Sequence, residues 1–230
     1  MIQIKTFSDQ RLDQMCSYCG DIGIETRDHV PSRILLDEPF PESFPVVPCC
    51  LKCNQDFSLD EEYFACAIEC ILHGTTNVDK LKRKKVKAIL ERKQLLRQRN
   101  ENSFMLQDGQ IHFQIEQDRF ENIITKLAKG HAKYENSEPQ LDEPLSISMT
   151  PLMLMTEEEL DKFFAPKEMT KFPEVGSRSL INLVKNTNTP LFQWTTVQQN
   201  NYLYSVTSDL GTLSVKIVIW DYLAVEVIWD

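Results

Sequence analysis

Four cysteines in two pairs carry the clearest chemistry in this sequence. Cys16 and Cys19 form one CxxC pair, and Cys50 and Cys53 form a second. A two-residue gap lets one tight turn aim two sulfurs at the same ion, and Zn²⁺ prefers thiolate ligands in a tetrahedron. The sequence therefore predicts a structural zinc site that joins two loops. Cys49 precedes Cys50 and is the alternative ligand at that position, although the CxxC spacing favours Cys50.

Three further polar residues lie between the cysteine pairs or directly after them. Asp28 and His29 are adjacent, and Asn54 follows the last cysteine. Neighbouring side chains in an extended chain point to opposite sides. If the chain is extended there, Asp28 can face a metal ion while His29 faces a water molecule.

Residues 13–72 resemble the HNH endonucleases, the zinc-stapled branch of the ββα-metal nucleases. His29 fits the first position of the family's His-Asn-His/Asn motif, and Asn54 fits the third in its Asn form. Ser43 stands nearest to the middle position, where the family has Asn, so this sequence departs from the motif there. The segments that carry the resemblance are Cys16-Ser-Tyr-Cys19, Arg27-Asp28-His29-Val30-Pro31-Ser32 and Val47-Pro48-Cys49-Cys50-Leu51-Lys52-Cys53-Asn54.

The resemblance implies metal-dependent hydrolysis of DNA phosphodiester bonds, with 5′-phosphate and 3′-hydroxyl products. His29 would be the general base, since its unperturbed pKa of about 6.5 suits proton transfer near neutral pH. Asp28 and Asn54 would bind one Mg²⁺ or Mn²⁺, because oxygen ligands suit hard cations. The structural zinc would be bound by Cys16, Cys19, Cys50 and Cys53.

The predicted fold class is α+β, in three segments. Residues 1–76 would form the zinc-bound ββα-metal HNH module. Residues 77–135 would contain a basic helix, a hairpin and a helix. Residues 136–230 would form an antiparallel, β-rich region of unknown role. A polar, proline-punctuated stretch over 135–155 overlaps its start and would link or rim two subdomains.

Local patterns predict the elements of these segments. Ser58 and Glu61 form a capping-box pattern before an apolar run, and Asp108-Gly109 between apolar residues indicates a β-hairpin. Thr156 and Glu159 repeat the capping pattern. Helices are predicted over residues 59–72, 79–99 and 118–129, the last ending at Gly130. Strands are predicted over residues 191–198, 202–208, 213–219 and 222–229, with one buried face.

Composition and charge bound the class of protein. The chain has 230 residues and 42% hydrophobic content, with no apolar run of the ~18 residues that a membrane helix needs. Seven cysteines and the absence of a secretion signal favour the cytoplasm. The net charge is −9, but residues 80–99 carry ten Lys or Arg against Glu91 alone. This uneven distribution of charge permits one side of the protein to face DNA.

The acidic remainder of the chain indicates that a partner protein helps to deliver DNA. The resemblance implies that this partner is an ATPase or sensor, in bacterial or phage defence. The alternative function is a zinc-ribbon module that binds nucleic acid or protein without catalysis, and Ser43 is the feature that favours it. The sequence leaves the oligomeric state open.

Overall fold

The computed structural model describes residues 6–7, 9–168, 173–185, 191–192, 194–209 and 211–230. The helices are α1 (Leu51–Asp56), α2 (Ser58–His73), α3 (Lys84–Arg92), α4 (Gln94–Asn102), α5 (Gln117–Asn136), α6 (Glu157–Phe164) and α7 (Arg178–Lys185). The strands are β1 (Thr26–His29), β2 (Val46–Cys49), β3 (Phe104–Gln107), β4 (Gln110–Phe113), β5 (Ser146–Pro151), β6 (Lys167–Glu168), β7 (Leu191–Phe192), β8 (Thr195–Gln198), β9 (Tyr202–Asp209), β10 (Thr212–Ile219) and β11 (Leu223–Trp229).

The fold is mixed α+β with antiparallel sheets, which confirms the predicted class at this level. The chain divides into two compact units. One consists of Met1–Gln55 with Ile124–Asp230, and the other of Asp56–Ile123. The predicted segment boundaries at residues 76 and 135 stay predictions.

A five-stranded antiparallel sheet of order β5-β11-β10-β9-β8 forms the centre of the first unit. The strands predicted over 202–208, 213–219 and 222–229 are confirmed within a residue. The single strand predicted over 191–198 is wrong, because β7 pairs with β6 in a separate two-stranded sheet whereas β8 pairs with β9; residue 193 lies outside the described residues. Both faces of β10 are buried, not one as predicted. Tyr202 and Tyr204 pack against α5 on one face, while Phe163 of α6 covers Val218 on the other.

The edge strand β5 is an element that the sequence did not indicate. Residues 135–155 were expected to link or rim two subdomains, whereas Ser146–Pro151 pairs with β11 along its whole length. The strand alternates exposed and half-buried residues, so its hydrophobic pattern is weak. Pro151 can end the strand because an edge position does not require every backbone donor.

The sheet also holds the loop that follows β1. Gln198 exchanges two hydrogen bonds of 2.8 Å with the backbone of Asp37, and the Asn201 amide donates to the Asp37 carboxylate. The Trp220 indole donates to the Leu35 carbonyl at 2.9 Å. The proline-rich loop between β1 and β2 is therefore fixed by residues of the β-rich region.

Gly130 does not end a helix, and that prediction was wrong. α5 continues through it to Asn136. A Cβ on Gly130 would lie 2.6 Å from Cγ2 of Val30 and 3.3 Å from the Tyr18 hydroxyl. Glycine is required here because the Val30 side chain packs directly against the helix backbone at this position.

We expect Gly130→Ala to destabilise the protein by about 1–3 kcal/mol, as overpacking of a core does. Helix propensity alone would make the Ala variant more stable by about 1 kcal/mol. A decrease in the free energy of unfolding would therefore show that the added methyl group clashes with Val30. Urea unfolding of Gly130→Ala and of the double variant Val30→Ala/Gly130→Ala measures it. The double variant should be less destabilised than the sum of its single changes. A more stable Gly130→Ala protein would contradict the close approach.

His131 is fully buried in α5. Its Nε2 lies 2.9 Å from the Tyr202 hydroxyl, and its ring stacks on Tyr204 at 3.8 Å. Burial holds the pKa of His131 well below 6.5, so the folded protein keeps the imidazole neutral. In the unfolded chain the imidazole regains its ordinary pKa and takes up a proton as the pH falls.

We therefore expect stability to be lost as the pH falls below about 6.5, by about 1.4 kcal/mol per pH unit from this group. The contribution is fully present above that pH. Urea titrations of the wild type and of His131→Gln at several pH values measure it, because the difference between their pH slopes isolates His131 from other groups. Equal slopes would show that the protein accommodates a charged imidazole.

In the second unit, the predicted helix over 59–72 and the hairpin are confirmed. α2 covers Ser58–His73 and ends at Gly74, whose φ is +60°. Asp108 and Gly109 both have positive φ between β3 and β4, as a type I′ turn requires. Tyr63 and Phe64 of α2 pack against Phe120.

The single helix predicted over 79–99 is wrong. The buried Glu69 carboxylate accepts the backbone N–H groups of Lys82 and Arg83 at 2.6 and 2.8 Å, so α3 begins only at Lys84. Lys93 then leaves the helical conformation, with φ −105° and ψ 76°, and separates α3 from α4. A side chain from another helix thus determines the start of α3.

Part of the basic window is neutralised within the same unit. Arg83 pairs with Glu69 at 2.7 Å, Lys93 pairs with Glu62, and Arg99 lies 3.5 Å from Glu116. The cationic surface is accordingly smaller than the sequence count indicates.

Among the residues that the structure describes, no helix is both long enough and apolar enough to cross a bilayer.

Candidate functional site

The two cysteine pairs come together in the first unit. The turn after Cys16 is closed by the Gly20 N–H, which donates to the Cys16 carbonyl. Cys50 lies directly before α1 and Cys53 within it. The Sγ atoms of Cys16, Cys19, Cys50 and Cys53 all lie within 4.8 Å of one another. The predicted grouping of these four thiols is confirmed.

The geometry of the cluster fits a bound metal ion. In a tetrahedral site with Zn–S bonds of about 2.3 Å, neighbouring sulfurs are separated by about 3.8 Å. The Sγ atoms of Cys19 and Cys50 are 3.8 Å apart. Burial raises the pKa of the Cys16 thiol, but backbone hydrogen bonds from Cys50, Cys19 and Tyr18 outweigh it and lower that pKa to about 7. The cluster could thus hold a structural ion, for which four sulfurs favour zinc.

Cys49 is not part of this cluster. It ends β2 with a fully buried side chain, and its thiol donates to the Cys50 carbonyl at 3.3 Å. Burial, followed by the charge of the neighbouring Cys16 thiol, raises the pKa of the Cys49 thiol. The sulfurs that lie within 4.8 Å of one another include that of Cys50 and not that of Cys49, which supports Cys50 as the fourth ligand.

The hairpin of β1 and β2 presents Asp28 and His29 on opposite faces. Asp28 pairs with Val47, and both are buried. His29 pairs with Val46 on the other face, where Arg27 also lies and is exposed. The backbone is extended, so the two side chains point to opposite faces, as this conformation requires.

Asp28 is engaged by protein groups on the inner face. Its Oδ2 accepts from the Tyr18 hydroxyl at 2.6 Å and lies 2.7 Å from the Lys126 ammonium. Lys126 is buried and also donates to the Ser32 hydroxyl at 2.9 Å. An ammonium group therefore already balances the charge of the Asp28 carboxylate.

His29 lies on the outer face against an aromatic ring. Its centroid is 4.6 Å from that of Phe44, with the planes tilted by 30°. Its Nδ1 is buried and has no hydrogen-bond partner among the described residues. Burial, followed by the positive charge of Arg33, lowers the pKa of His29 below its ordinary value. The imidazole is consequently neutral at neutral pH.

Asn54 lies beside the first residue of β1. Its amide donates to the Thr26 hydroxyl at 3.1 Å, and that hydroxyl donates to the Cys49 carbonyl. Thr26 and Asp28 share the inner face of the strand by alternation. The described contacts do not join Asn54, Asp28 and His29 to one another directly.

Sequence reasoning missed three residues of this site. Phe44, next to Ser43, makes the ring contact that orients His29. Tyr18 lies inside the first CxxC turn and bonds to Asp28. Tyr18 and Phe44 both lie within the segment that resembles the HNH family, so the sequence could have indicated them. Lys126 lies far outside that segment, and only the packing of α5 brings its ammonium group to Asp28.

We compared the chain with protein-family models, with curated proteins and with solved structures. Nothing matched in any of the three.

Proposed function

We propose that residues 1–76 form a zinc-stapled ββα-metal module of the HNH type, and that the protein hydrolyses DNA phosphodiester bonds. The observation that carries this proposal is the position of His29 on a hairpin that the thiolate cluster closes. Ser17 of the first cysteine turn donates two hydrogen bonds to the Pro48 carbonyl of β2. The order β1, β2, α1, with Asn54 in the helix, supports the same assignment.

His29 would act as the general base. A base must be unprotonated, and the lowered pKa keeps the imidazole in that state at neutral pH. A buried polar atom without a protein partner is usually satisfied by water, and Nδ1 of His29 is such an atom. The imidazole would take a proton from this water, whose oxygen attacks phosphorus. The bond from phosphorus to the 3′ oxygen then breaks, and solvent protonates the leaving oxygen.

Asp28 and Asn54 would hold one Mg²⁺ or Mn²⁺, because carboxylate and amide oxygens are the ligands that these cations prefer. When bound, such an ion stabilises the negative charge on the phosphate and on the leaving oxygen. The donor types fit this role. Lys126 occupies one Asp28 oxygen, however, so binding of an ion there requires Lys126 to give up that contact.

Cleavage of supercoiled plasmid tests the function. The zinc-loaded protein is incubated with Mg²⁺ or Mn²⁺, and we expect nicked or linear product with 5′-phosphate ends. Linear duplex and single-stranded DNA are tested alongside, as is RNA of the same sequence. Inactivity of the wild type with each of these metals and substrates would reject the nuclease proposal.

Two observations favour the second candidate, a zinc-ribbon module that binds without catalysis. The ion pair of Asp28 with Lys126 serves a structural role as it stands, and Ser43 replaces the family's middle Asn. Such a module would bind nucleic acid or a protein partner and would leave plasmid intact. DNA binding without cleavage is the result that would identify it.

A partner ATPase or sensor remains part of the proposal, on the strength of the resemblance and the acidic charge of the chain. Affinity purification of the tagged chain, followed by cleavage assays with and without each protein that co-purifies, would test it.

A further inference from the structure

The second unit carries a run of lysine and arginine side chains at and before α3. Residues 80–92 contain seven Lys or Arg, and Glu91 is their one acidic residue. Five of the seven have no carboxylate partner among the residues that the structure describes, and they form what we call the basic surface: Lys80, Lys82, Lys84, Lys87 and Arg92. Lys87 is half-buried, and the other four are exposed.

The carboxylates around this surface leave it with an excess of positive charge. α3 packs most extensively against α2, α4 and the turn over Val78–Lys80. Three carboxylates of α2 are bound by cations outside the basic surface: Glu69 by Arg83, Glu62 by Lys93, and Asp60 by Arg119. Glu61 and Lys85 have interactions of their own and are counted on neither side, and Glu101 of α4 lines a cavity beside β3. Asp79 and Glu91 remain, so five cations face two carboxylates.

The outer side of α3 is charged, whereas its apolar side faces the interior of the unit. Val86, Ile89 and Leu90 are the large apolar residues of this helix, and all three are buried. A helix that lies in a lipid surface needs exposed apolar side chains to enter the acyl region. α3 offers none, so its exposed lysines bind a partner through charge and hydrogen bonds alone. A backbone of regularly spaced phosphates is such a partner.

Several of these cations lie at the end of α3 where positive charge costs stability. A helix N-terminus carries partial positive charge, so acidic side chains stabilise the first turn. Lys84 begins α3, its first turn contains no acidic residue, and the N-cap Arg83 makes no side-chain capping hydrogen bond. The buried Glu69 carboxylate of α2 offsets this cost by accepting the two preceding backbone N–H groups. Charges placed against a local rule, with the compensation supplied from another element, are typical of a functional surface.

We propose that the basic surface binds the phosphate backbone of nucleic acid and holds the DNA substrate of the nuclease. Its role as a substrate surface rests on the proposed function, whereas phosphate binding depends only on the charge and exposure of these side chains. Lysine contacts to phosphates position a nucleic acid without reading its sequence. The second unit thus supplies affinity for the substrate, and the hairpin with His29 supplies the chemistry.

Fluorescence anisotropy of a labelled DNA duplex tests this surface. The zinc-loaded full-length protein is used without added divalent ions, so that binding is measured in the absence of cleavage. The test variant is Lys82→Gln/Lys84→Gln. The matched control is Lys162→Gln/Lys167→Gln, which removes two exposed lysines from α6 and β6. Both variants change the net charge by the same amount, so a difference between them reports the position of the charges.

We expect the test variant to bind the duplex about ten- to fiftyfold more weakly at about 0.1 M salt, because each phosphate contact contributes about 0.9 to the slope of log K against log salt. The slope itself should fall by about two. The control variant should bind as the wild type does. Equal affinities and equal slopes in the two variants, or no duplex binding by the wild type at low salt, would reject the surface.

Thermal unfolding of the same variants separates binding from folding. Removal of positive charge from a helix N-terminus should leave the unfolding midpoint of the test variant at or above that of the wild type. A lower midpoint together with weaker binding would assign the two lysines to the fold and overturn the proposal. Vesicles of phosphatidylserine and phosphatidylcholine are the competing anionic surface. Loss of vesicle binding with unchanged duplex binding in the test variant would overturn the nucleic-acid assignment.

The two proposals fail separately. Weaker duplex binding by Lys82→Gln/Lys84→Gln, without cleavage by the wild type under any condition, rejects the nuclease and keeps the nucleic-acid surface. Cleavage that depends on His29, with equal binding by the test and control variants, does the reverse. Where both proposals hold, the test variant should raise KM for plasmid and leave kcat unchanged, as the loss of uniform substrate binding does.

Discussion

Replacing His29 with Ala is expected to lower the rate of plasmid cleavage by a factor of about 10² to 10⁴, the usual contribution of a general base. The imidazole is the group on the outer face of the hairpin with a lowered pKa and an Nδ1 that has no partner among the described residues. Alanine removes the acceptor for the water proton and leaves the strand pairing of residue 29 intact. Initial rates of nicking with saturating Mn²⁺ measure the loss.

His112→Ala is the matched control for this change. His112 is an exposed residue of β4, so the same substitution there should leave cleavage within twofold of the wild type. Zinc content and the unfolding midpoint of His29→Ala should match those of the wild type. A His29→Ala protein that cleaves at more than a tenth of the wild-type rate would contradict the role of base.

Loss of a zinc ligand is expected to have the largest effect on folding. Binding of a structural zinc contributes on the order of 10–16 kcal/mol, which matches or exceeds the roughly 5–15 kcal/mol by which a domain is stable. We therefore expect Cys50→Ala to lose its zinc and the ordered hairpin with it. Zinc content per chain and hydrogen exchange of the β1 and β2 amides measure the two losses.

Cys49→Ala is the control for that experiment, because it removes a buried thiol one residue away. Cys49 lies outside the group of four sulfurs, and its thiol donates to the Cys50 carbonyl and neighbours the Cys16 thiol. We expect one zinc per chain and a destabilisation of about 1 kcal/mol, an ordinary value for a single substitution. Retention of zinc by Cys50→Ala and its loss in Cys49→Ala would reverse the ligand assignment.

Features that depend on a few consecutive residues were predictable. The cysteine turns, the Thr156–Glu159 capping box and the Asp108-Gly109 turn all appear in the structure. In each case the backbone geometry follows from local hydrogen bonds or from positive φ.

The sequence by itself determined the grouping of the four cysteines, the α+β class and the antiparallel character of the carboxy-terminal region. Tertiary structure alone decided the rest. Gly130 was taken for a helix end because glycine often is one, yet its role is to admit Val30. The start of α3 depends on Glu69, a residue of another helix.

The charge environment of Asp28 belongs to this second group. Lys126 reaches Asp28 through the packing of α5 in the first unit. This pairing leaves no pattern in the sequence, because the two residues are far apart along the chain. The spacing of residues along the chain determines turns and metal ligands. The electrostatic environment of a charged side chain depends on which distant element packs against it.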